Sequence, residues 1–252
     1  MKKYLVLLVV LFLLGGCAIS KTPVTNRTQL ILISSEQELA LGEQSFKQTL
    51  QEMKISNDLS QTKRVEDIGK RLASVAQRDD FKWEFALVEN DQVNAFCLPG
   101  GKIVVYTGIF KVAKSDGALA TVISHEIGHA IARHGAERMS LGLVSSAIQV
   151  AANVALATSH PESLQTFNIA YGLGANYGVI LPYSRMQEFE ADQIGVDLMH
   201  KAGFNIDEAL IFWNDMKKLS SGKSVPAFAS THPSDEARIS NLYKVIQGYK
   251  NK

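Results

Sequence analysis

The sequence predicts an α+β fold that is mostly helical, with a small sheet in the N-terminal third of the chain. Apolar residues recur at helical spacing over residues 35–53 and 60–77. Three short apolar segments with strand-like alternation follow between residues 83 and 107, and Pro99-Gly100-Gly101 joins two of them. Beyond residue 115, capping residues delimit several further helices. These three observations favour one helical domain built around a small sheet.

The predicted elements of the first half are two helices and three strands. The second helix places Val65, Ile68, Leu72 and Val75 on one face, which is typical of a helix that packs against a core. The predicted strands are Trp83–Glu89, Val93–Leu98 and Lys102–Thr107.

The predicted helices of the second half are delimited by polar caps at their starts and glycines at their ends. A polar side chain at the start of a helix accepts a hydrogen bond from one of the backbone N–H groups that have no partner within the helix. The signals are Asp116 for a helix to His134 with Gly135 as the stop, Ser184 with Gln187 for a helix ending at Gly203, Asn205 with Glu208 for the next, and Pro233 for the last.

Composition and charge exclude several classes of protein. The chain has 252 residues, of which 46% are hydrophobic and 20% charged, so it can bury one sizeable core and is not a disordered protein. A formal net charge of +1 gives no electrostatic reason to expect nucleic acid as a partner. The two cysteines exclude a disulfide scaffold and belong to no zinc-finger spacing.

The N-terminal residues precede the predicted domain. Residues 1–16 combine a basic head, an unbroken apolar run and two glycines, an order typical of a secretory signal peptide and too short for a membrane span. Small residues directly before Cys17 resemble a bacterial lipobox, so Cys17 is the expected lipidation site; an ordinary signal peptide is the alternative. Residues 17–34 are expected to form the lipidated N-terminus and a polar tether, and residues 35–252 a single domain.

The chemistry is concentrated in His125-Glu126-Ile127-Gly128-His129, which matches the H-E-x-x-H motif inside a predicted helix. Residues four apart on a helix differ by about 40° in azimuth, so both imidazoles can bind one zinc ion. Glu126 lies beside the metal, where it can activate a water molecule. A helix with two surface histidines is the alternative, but its apolar neighbours make idle polar groups costly there.

A zinc site with two histidines needs a third ligand. His134 is not expected to be that ligand, because on a continuous helix it lies about 180° round from His125. A later helix carries Glu188 and Asp192 on one face, so Glu188 is the predicted ligand and Asp192 is predicted to orient a ligand histidine. Glu190 is expected to point away, towards solvent or into a salt bridge. A solvated acidic face is the alternative for these three residues.

Five segments of the chain occur in an order and at a spacing that are specific. They are Asn94-Ala95-Phe96, Pro99-Gly100-Gly101 with Ile103-Val104-Val105, His125 to His129, Ser184-Arg185 with Glu188-Phe189-Glu190-Ala191-Asp192, and Thr231-His232-Pro233. Together they span roughly Ser35 to Tyr249 and resemble the zinc metallopeptidases that include HtpX and the CAAX prenyl proteases.

This resemblance implies a gluzincin-type metallopeptidase domain with a small sheet and an HExxH active-site helix. It implies endopeptidase activity and one zinc ion per chain, with His125, His129 and Glu188 as the ligands. It also implies that Asn94-Ala95-Phe96 forms an edge strand that pairs with an extended substrate.

The lipobox makes the chain similar to outer-membrane lipoprotein members of that family. Ala18, directly after Cys17, resembles the sorting signal for the outer membrane in such lipoproteins. The resemblance therefore implies a lipid-anchored enzyme that faces the periplasm of a Gram-negative bacterium. Unfolded or misassembled envelope proteins are the expected substrates, and envelope proteases or chaperones the expected partners.

The predicted mechanism uses Glu126 as the base that takes a proton from the attacking water and returns it to the leaving amine. The tetrahedral intermediate needs a donor to its oxyanion, and the candidates are His232, Arg185 and Arg238. His232 is expected near the zinc, either as that donor or as a ligand that silences the resting enzyme. A histidine that only caps its own helix is the alternative.

Residues 139–184 contain a single charged side chain, Glu162, and residues 141–158 approach the length and apolarity of a membrane span. Because four polar residues interrupt that segment, we expect buried helices or helices that cover the active site. A segment that enters or touches the membrane is the alternative.

Two other functions are open to a chain of this kind. A lipid-anchored chaperone or assembly factor for outer-membrane proteins, with a largely latent protease site, is the main alternative, and the intact Glu126 argues against it. A hydrolase of cell-wall amides would need clusters of aromatic residues to bind sugars, and the 8% aromatic content forms none.

Overall fold

The computed structural model describes residues 19–175, 181–220, 226–233 and 236–251. Within these ranges the chain is mostly helical with a small sheet, which confirms the predicted fold class. The predicted signal peptide and the predicted lipidation site Cys17 lie outside the described residues. The strands are β1 (Ile19–Lys21), β2 (Thr28–Leu30), β3 (Glu84–Val88), β4 (Ala95–Leu98) and β5 (Lys102–Tyr106). The helices are α1 (Ser35–Glu52), α2 (Leu59–Ala73), α3 (Asp116–Ile131), α4 (His134–Ser159), α5 (Leu164–Ala175), α6 (Leu181–Lys201), α7 (Asp207–Ser220), α8 (Ala227–Thr231) and α9 (Glu236–Lys250).

The three strands predicted between residues 83 and 107 form one sheet in the order β3-β5-β4. β3 runs parallel to β5, whereas β4 is antiparallel to β5 and forms an edge of the sheet. All five residues of β5 are buried because both faces of the sheet are covered. Ile103 and Val105 join the main core, while Val104 and Tyr106 pack with Phe46 of α1 on the opposite face.

The main core surrounds α3, the helix that carries the HExxH motif. Every residue of α3 from Ala118 to Ile131 is buried, as expected for a helix with neighbours on all sides. Its most extensive contact is with α6. A Cβ atom added at Gly128 would lie 2.8 Å from the carbonyl oxygen of Ala191, so glycine allows the two backbones to meet closely. This crossing places the acidic residues of α6 against the histidines of α3.

The predicted limits of α3 need correction at both ends. Its N-cap is Ser115, whose side chain accepts a hydrogen bond from the helix backbone, and Asp116 is the first helical residue. The helix does not continue to His134, because Arg133 adopts a left-handed conformation with φ 58° and breaks it. A new helix, α4, starts at His134 and runs through Gly135, which therefore does not act as a stop.

The predicted capping boxes of the later helices are also wrong. α6 begins three residues before Ser184, and Gln187 is buried and donates to a glutamate of α4. Asn205 does accept from a backbone N–H at the start of α7, but the Glu208 carboxylate accepts from Ser115 instead of closing the box. Pro233 precedes α9, whose described part begins at Glu236, so its predicted place at the start of that helix stays a prediction.

The predicted tether is wrong for residues 19–34, which form part of the domain. β1 and β2 pair as an antiparallel hairpin, and the chain then continues into α1. Thr22, Gln29 and Ile31 are buried, and the backbone N–H of Leu32 donates to Ser140 of α4 at 2.8 Å. The polar residues that suggested a solvated linker bind buried acids of the domain, so composition alone misjudged them.

The prediction of buried helices between residues 139 and 184 is wrong as well. No residue of 141–159 is buried, and α4 and α5 pack against each other as an exposed helical hairpin. The polar residues that argued against a membrane contact partly face α5: Ser145 bonds Tyr171, and Gln149 donates to Asn168. Among the described residues, α4 is the one helix long and apolar enough to cross a membrane. Its exposed apolar side chains include Leu143, Ile148, Val150 and Val154.

Candidate active site

Four buried side chains bring potential metal ligands to one point. His125 and His129 lie on α3, Glu188 lies on α6, and His232 is the residue that directly follows α8. One donor atom from each lies within 4.8 Å of every other. The structure thus brings together the three ligands predicted from the sequence, with His232 as a fourth neighbour.

The distances within this cluster are short. Glu188 Oε2 lies 3.2 Å from His125 Nε2, and Glu188 Oε1 lies 3.3 Å from His129 Nε2. The two Nε2 atoms are 3.1 Å apart. His232 Nδ1 lies 2.9 Å from Glu188 Oε2 and 3.2 Å from His125 Nε2. Two imidazoles and one carboxylate are the ligand set of catalytic zinc sites, in which one position stays open.

Glu126 lies next to this cluster and is free to act as a base. Its side chain is 1% exposed, and its Oε1 has no hydrogen-bond partner among the described residues. That oxygen lies 3.5 Å from His232 Nε2. A buried carboxylate oxygen without a partner is costly unless a ligand or water meets it. The residues present therefore fit a zinc ion with a water molecule beside Glu126.

Asp192 and Arg238 support the side of the cluster occupied by His125. Asp192 Oδ1 lies 3.0 Å from His125 Nδ1, and the role of Asp192 in orienting that histidine stays a prediction. Arg238 donates two hydrogen bonds to the Asp192 carboxylate, at 2.5 and 2.8 Å, and its Nη1 lies 3.1 Å from Glu188. Its guanidinium also stacks over the ring of Trp213.

The candidates for an oxyanion donor therefore occupy different places. Arg238 is buried and its guanidinium is used in contacts with two acids of the site. Arg185 is exposed and lines an open cleft together with Ser184 and Glu188. His232 lies inside the ligand cluster. Arg238 also lines that cleft, but its guanidinium bonds Asp192 and Glu188, so Arg185 and His232 stay the candidates for the oxyanion donor.

Burial and neighbouring charges shift the pKa values of the side chains in this cluster. Burial opposes ionisation of Glu188, but the neighbouring histidines outweigh it and lower the pKa of that carboxyl. Burial also opposes the charge of Asp192, and Arg238 outweighs it in the same way. Burial and Arg238 disfavour charge on His125, but hydrogen bonds to Asp192 and Glu188 raise its pKa to about 9. Burial lowers the pKa of His129. A metal ion therefore competes with a proton on His125.

His134 and Glu190 lie behind His129, a contact that the sequence analysis did not predict. His129 Nδ1 lies 2.7 Å from His134 Nδ1, and His134 Nε2 lies 3.0 Å from Glu190 Oε2. The argument that excluded His134 assumed one continuous helix, whereas the break at Arg133 turns its side chain back towards the site. Glu190 forms the salt bridge that was one of its two predicted environments, but it is 4% exposed and does not face solvent.

The predicted substrate strand lies where such a role requires it. Residues 95 and 96 belong to β4, the edge strand, and Asn94 immediately precedes it. Cys97 in the same strand is a free, half-buried cysteine beside Glu126. Burial and the Glu126 charge raise the pKa of the Cys97 thiol.

Comparisons with known proteins agree with this geometry. The family model described as Peptidase family M48 matches residues 59–246. The chain is 34% identical over 225 residues to the mitochondrial metalloendopeptidase OMA1 of Schizosaccharomyces pombe, a match that covers 87% of this chain and 64% of the relative. It is 30% identical over 272 residues to OMA1 of Saccharomyces cerevisiae, covering 96% of this chain and 74% of the relative.

A bacterial relative is more distant. The chain is 28% identical over 215 residues to the beta-barrel assembly-enhancing protease of Escherichia coli K12, and the match covers 83% of this chain and 44% of that protein. The chain thus spans less than two thirds of the length of several of its curated relatives, including those from S. pombe and E. coli.

Proposed function

The chain belongs to peptidase family M48, and its matched domain is a zinc metallopeptidase domain. We propose that the whole chain is an endopeptidase that cleaves unfolded or misassembled proteins. The observation that carries the proposal is the meeting of His125, His129 and Glu188 with the buried, unpartnered oxygen of Glu126. A structural zinc site would not need such a base beside its ligands.

The side chains of this chain suffice for peptide hydrolysis once the metal is bound. A zinc ion held by His125, His129 and Glu188 would supply Lewis-acid chemistry there: it would polarise the scissile carbonyl and make a water molecule more acidic. Glu126 accepts the proton of the attacking water and delivers it to the leaving amine. Asp192 holds His125 in the tautomer that leaves Nε2 free to bind metal. Arg185 and His232 are the donors available to the developing oxyanion.

His232 has a second role that its position supports. Its Nδ1 lies within hydrogen-bond distance of both Glu188 and His125, two of the predicted ligands. An imidazole there can occupy the position that a catalytic site keeps open for water or substrate. We therefore favour His232 as the group that holds the resting enzyme inactive.

The edge strand supports a substrate that binds as an extended chain. β4 is paired with β5 along one side, and Asn94, Ala95 and Phe96 stand at the start of that edge, next to Cys97 and thus to Glu126. A peptide that adds to this edge is held by backbone hydrogen bonds, which do not depend on its sequence. This mode suits an enzyme that removes many different unfolded proteins.

The proposed location is the periplasmic face of the outer membrane, with Cys17 as the lipid anchor. This rests on the order of elements in residues 1–17 and on the likeness to the outer-membrane lipoprotein metalloprotease LoiP. The relatives named OMA1 are mitochondrial by name, whereas the E. coli relative is named for β-barrel assembly. That second name supports envelope proteins as substrates and envelope chaperones or proteases as partners.

The α4–α5 hairpin supports a second contact with the same membrane. Cys17 precedes Ile19, the first residue of β1, by two positions in the sequence, so a lipid attached to Cys17 would tether β1 to the membrane surface. β2 and Leu32 contact the first turns of α4. The exposed apolar part of α4 follows directly after these turns. The exposed apolar side chains of this hairpin suit shallow insertion into a membrane surface.

Digestion of an unfolded protein tests the proposed activity. The full chain is incubated with the substrate alone, with a zinc chelator, and with the chelator followed by added zinc, and the products are sequenced. Internal cleavage that chelation abolishes and zinc restores is expected. Glu126→Gln, which keeps all the ligands, is the matched control and is expected to bind zinc without cleaving. Cleavage by that variant, or in chelator, would overturn the proposal and favour a chaperone with a latent site.

A further inference from the structure

The two ligand histidines of the HExxH motif are supported in different ways. His125 Nδ1 faces the carboxylate of Asp192 directly, at 3.0 Å. His129 Nδ1 faces another histidine, His134, at 2.7 Å. Metal-bound histidines generally donate their second N–H to a carboxylate or carbonyl group that fixes the ring. The support of His129 must therefore pass through His134.

The protons of this chain can be assigned from its geometry. When His129 binds metal through Nε2, its Nδ1 carries the hydrogen and donates it to His134 Nδ1. His134 Nδ1 is then an acceptor, so the proton of this neutral ring lies on Nε2, which donates to Glu190 Oε2 at 3.0 Å. Each link has one donor and one acceptor, and the chain ends on a carboxylate.

Glu190 is held in place by the N-terminal hairpin. Thr22 and Thr25 donate to its Oε1, the first at 2.5 Å, and Arg27 Nε bonds its Oε2 at 2.6 Å. The same guanidinium forms a bidentate salt bridge with Glu137 of α4, with N···O distances of 2.6 and 2.7 Å. Arg27 thus joins the hairpin to both helices that carry the chain behind His129.

We propose that His134 and Glu190 are positioning residues for His129, and that the hairpin of residues 19–30 completes the metal centre by holding Glu190 through Arg27. The inference rests on the proposed function only in taking His129 as a metal ligand. It makes the segment between the predicted lipid anchor and the helical domain a determinant of metal affinity. The three acids at 188, 190 and 192 then serve the site together: one as ligand and one behind each histidine.

Zinc affinity of the full chain, measured by competition with a chromophoric chelator, tests this inference. Glu190→Gln and His134→Leu are expected to weaken zinc binding by about 10- to 100-fold, and Arg27→Met is expected to act in the same direction. His134→Gln is expected to recover much of the loss, because its amide carries both an acceptor and a donor. The visible absorption spectrum of the cobalt-substituted protein reports the ligand geometry independently of activity.

Asp197→Asn is the matched control. Asp197 is a buried carboxylate on the same helix as Glu190, and its partners are Lys201 at 2.6 Å and Tyr249 at 2.7 Å instead of a residue of the site. Its zinc affinity and cobalt spectrum are expected to equal those of the unaltered chain. If Glu190→Gln and His134→Leu also bind zinc like this control, the inference is wrong while the proposed function stands. If the unaltered chain binds no stoichiometric zinc, or His129→Ala binds it equally well, both fail.

Discussion

Gly128 sets the distance between the two helices that carry the metal ligands, so Gly128→Ala tests the geometry of the site. The added Cβ would lie 2.8 Å from the Ala191 carbonyl oxygen and 3.2 Å from its Cα. Ordinary contact begins at 3.4 Å, and both atoms belong to backbone, so α3 and α6 must separate by about 0.6 Å. Ala191 adjoins Asp192 and lies three residues from Glu188, so the separation moves both away from the histidines.

Gly128→Ala is expected to weaken zinc binding without unfolding the metal-free chain. Overpacking of this kind costs about 1–3 kcal/mol, while replacing a helical glycine by alanine gains about 1 kcal/mol, so the metal-free variant should lose about 0–2 kcal/mol and stay folded. Metal–ligand distances tolerate only about 0.2 Å, so a displacement of Glu188 by about 0.6 Å should weaken zinc binding at least about tenfold.

Zinc affinity by chelator competition and thermal unfolding with and without zinc measure these two effects. Gly248→Ala in α9 is the control, because a Cβ at that position meets no atom within 4 Å. It should leave zinc affinity unchanged and keep or raise stability by up to about 1 kcal/mol. The reasoning is refuted if Gly128→Ala binds zinc as tightly as Gly248→Ala.

Four further predictions concern the ligand, the resting site, the anchor and the thiol. Glu188→Ala should lose stoichiometric zinc in metal analysis, and retention of zinc with the affinity of the parent would make the ligand assignment wrong. His232→Ala should raise basal cleavage of an unfolded substrate, whereas a fall in kcat of about 10²–10³ would assign the ring to the oxyanion. Cys17→Ser should reduce sedimentation with membranes and leave cleavage of a soluble substrate nearly intact; full sedimentation after a high-salt wash would make the α4–α5 hairpin the dominant anchor. Burial and the nearby carboxylate raise the pKa of Cys97, so its alkylation at pH 8 should be slow. Alkylation should be faster in Glu126→Gln, because that variant lacks the charge that disfavours the thiolate. An unchanged rate would contradict this electrostatic account.

Local pattern was sufficient for the residues that share one short helix or strand. The three strands, the HExxH helix and the common face of Glu188 and Asp192 follow from periodicities of 2 and 3.6 residues. These periodicities relate residues a few positions apart, so they do not depend on how the rest of the chain packs. The same holds for the signal-peptide pattern at residues 1–16, which stays a prediction.

The prediction of buried helices within residues 139–184 failed because composition does not say which surface an apolar helix meets, while helices that cover the active site stay a prediction. Ser145 and Gln149 suggested burial in a core, yet they bond α5 within an exposed hairpin. A polar residue in an apolar helix is satisfied equally well by a partner helix, by water or by a core. The partner is a property of the tertiary structure.

The sequence by itself determined the HExxH motif, the common face of Glu188 and Asp192 and the helical character of the domain, because each depends on neighbours along the chain. Only the tertiary structure decided what supports that motif. Arg27 reaches Glu137 and Glu190 across more than 100 residues of chain, and His134 reaches His129 only because Arg133 breaks the helix between them. Such contacts have no periodic trace in the sequence, since they form when separate elements pack and each buried charge must find a partner.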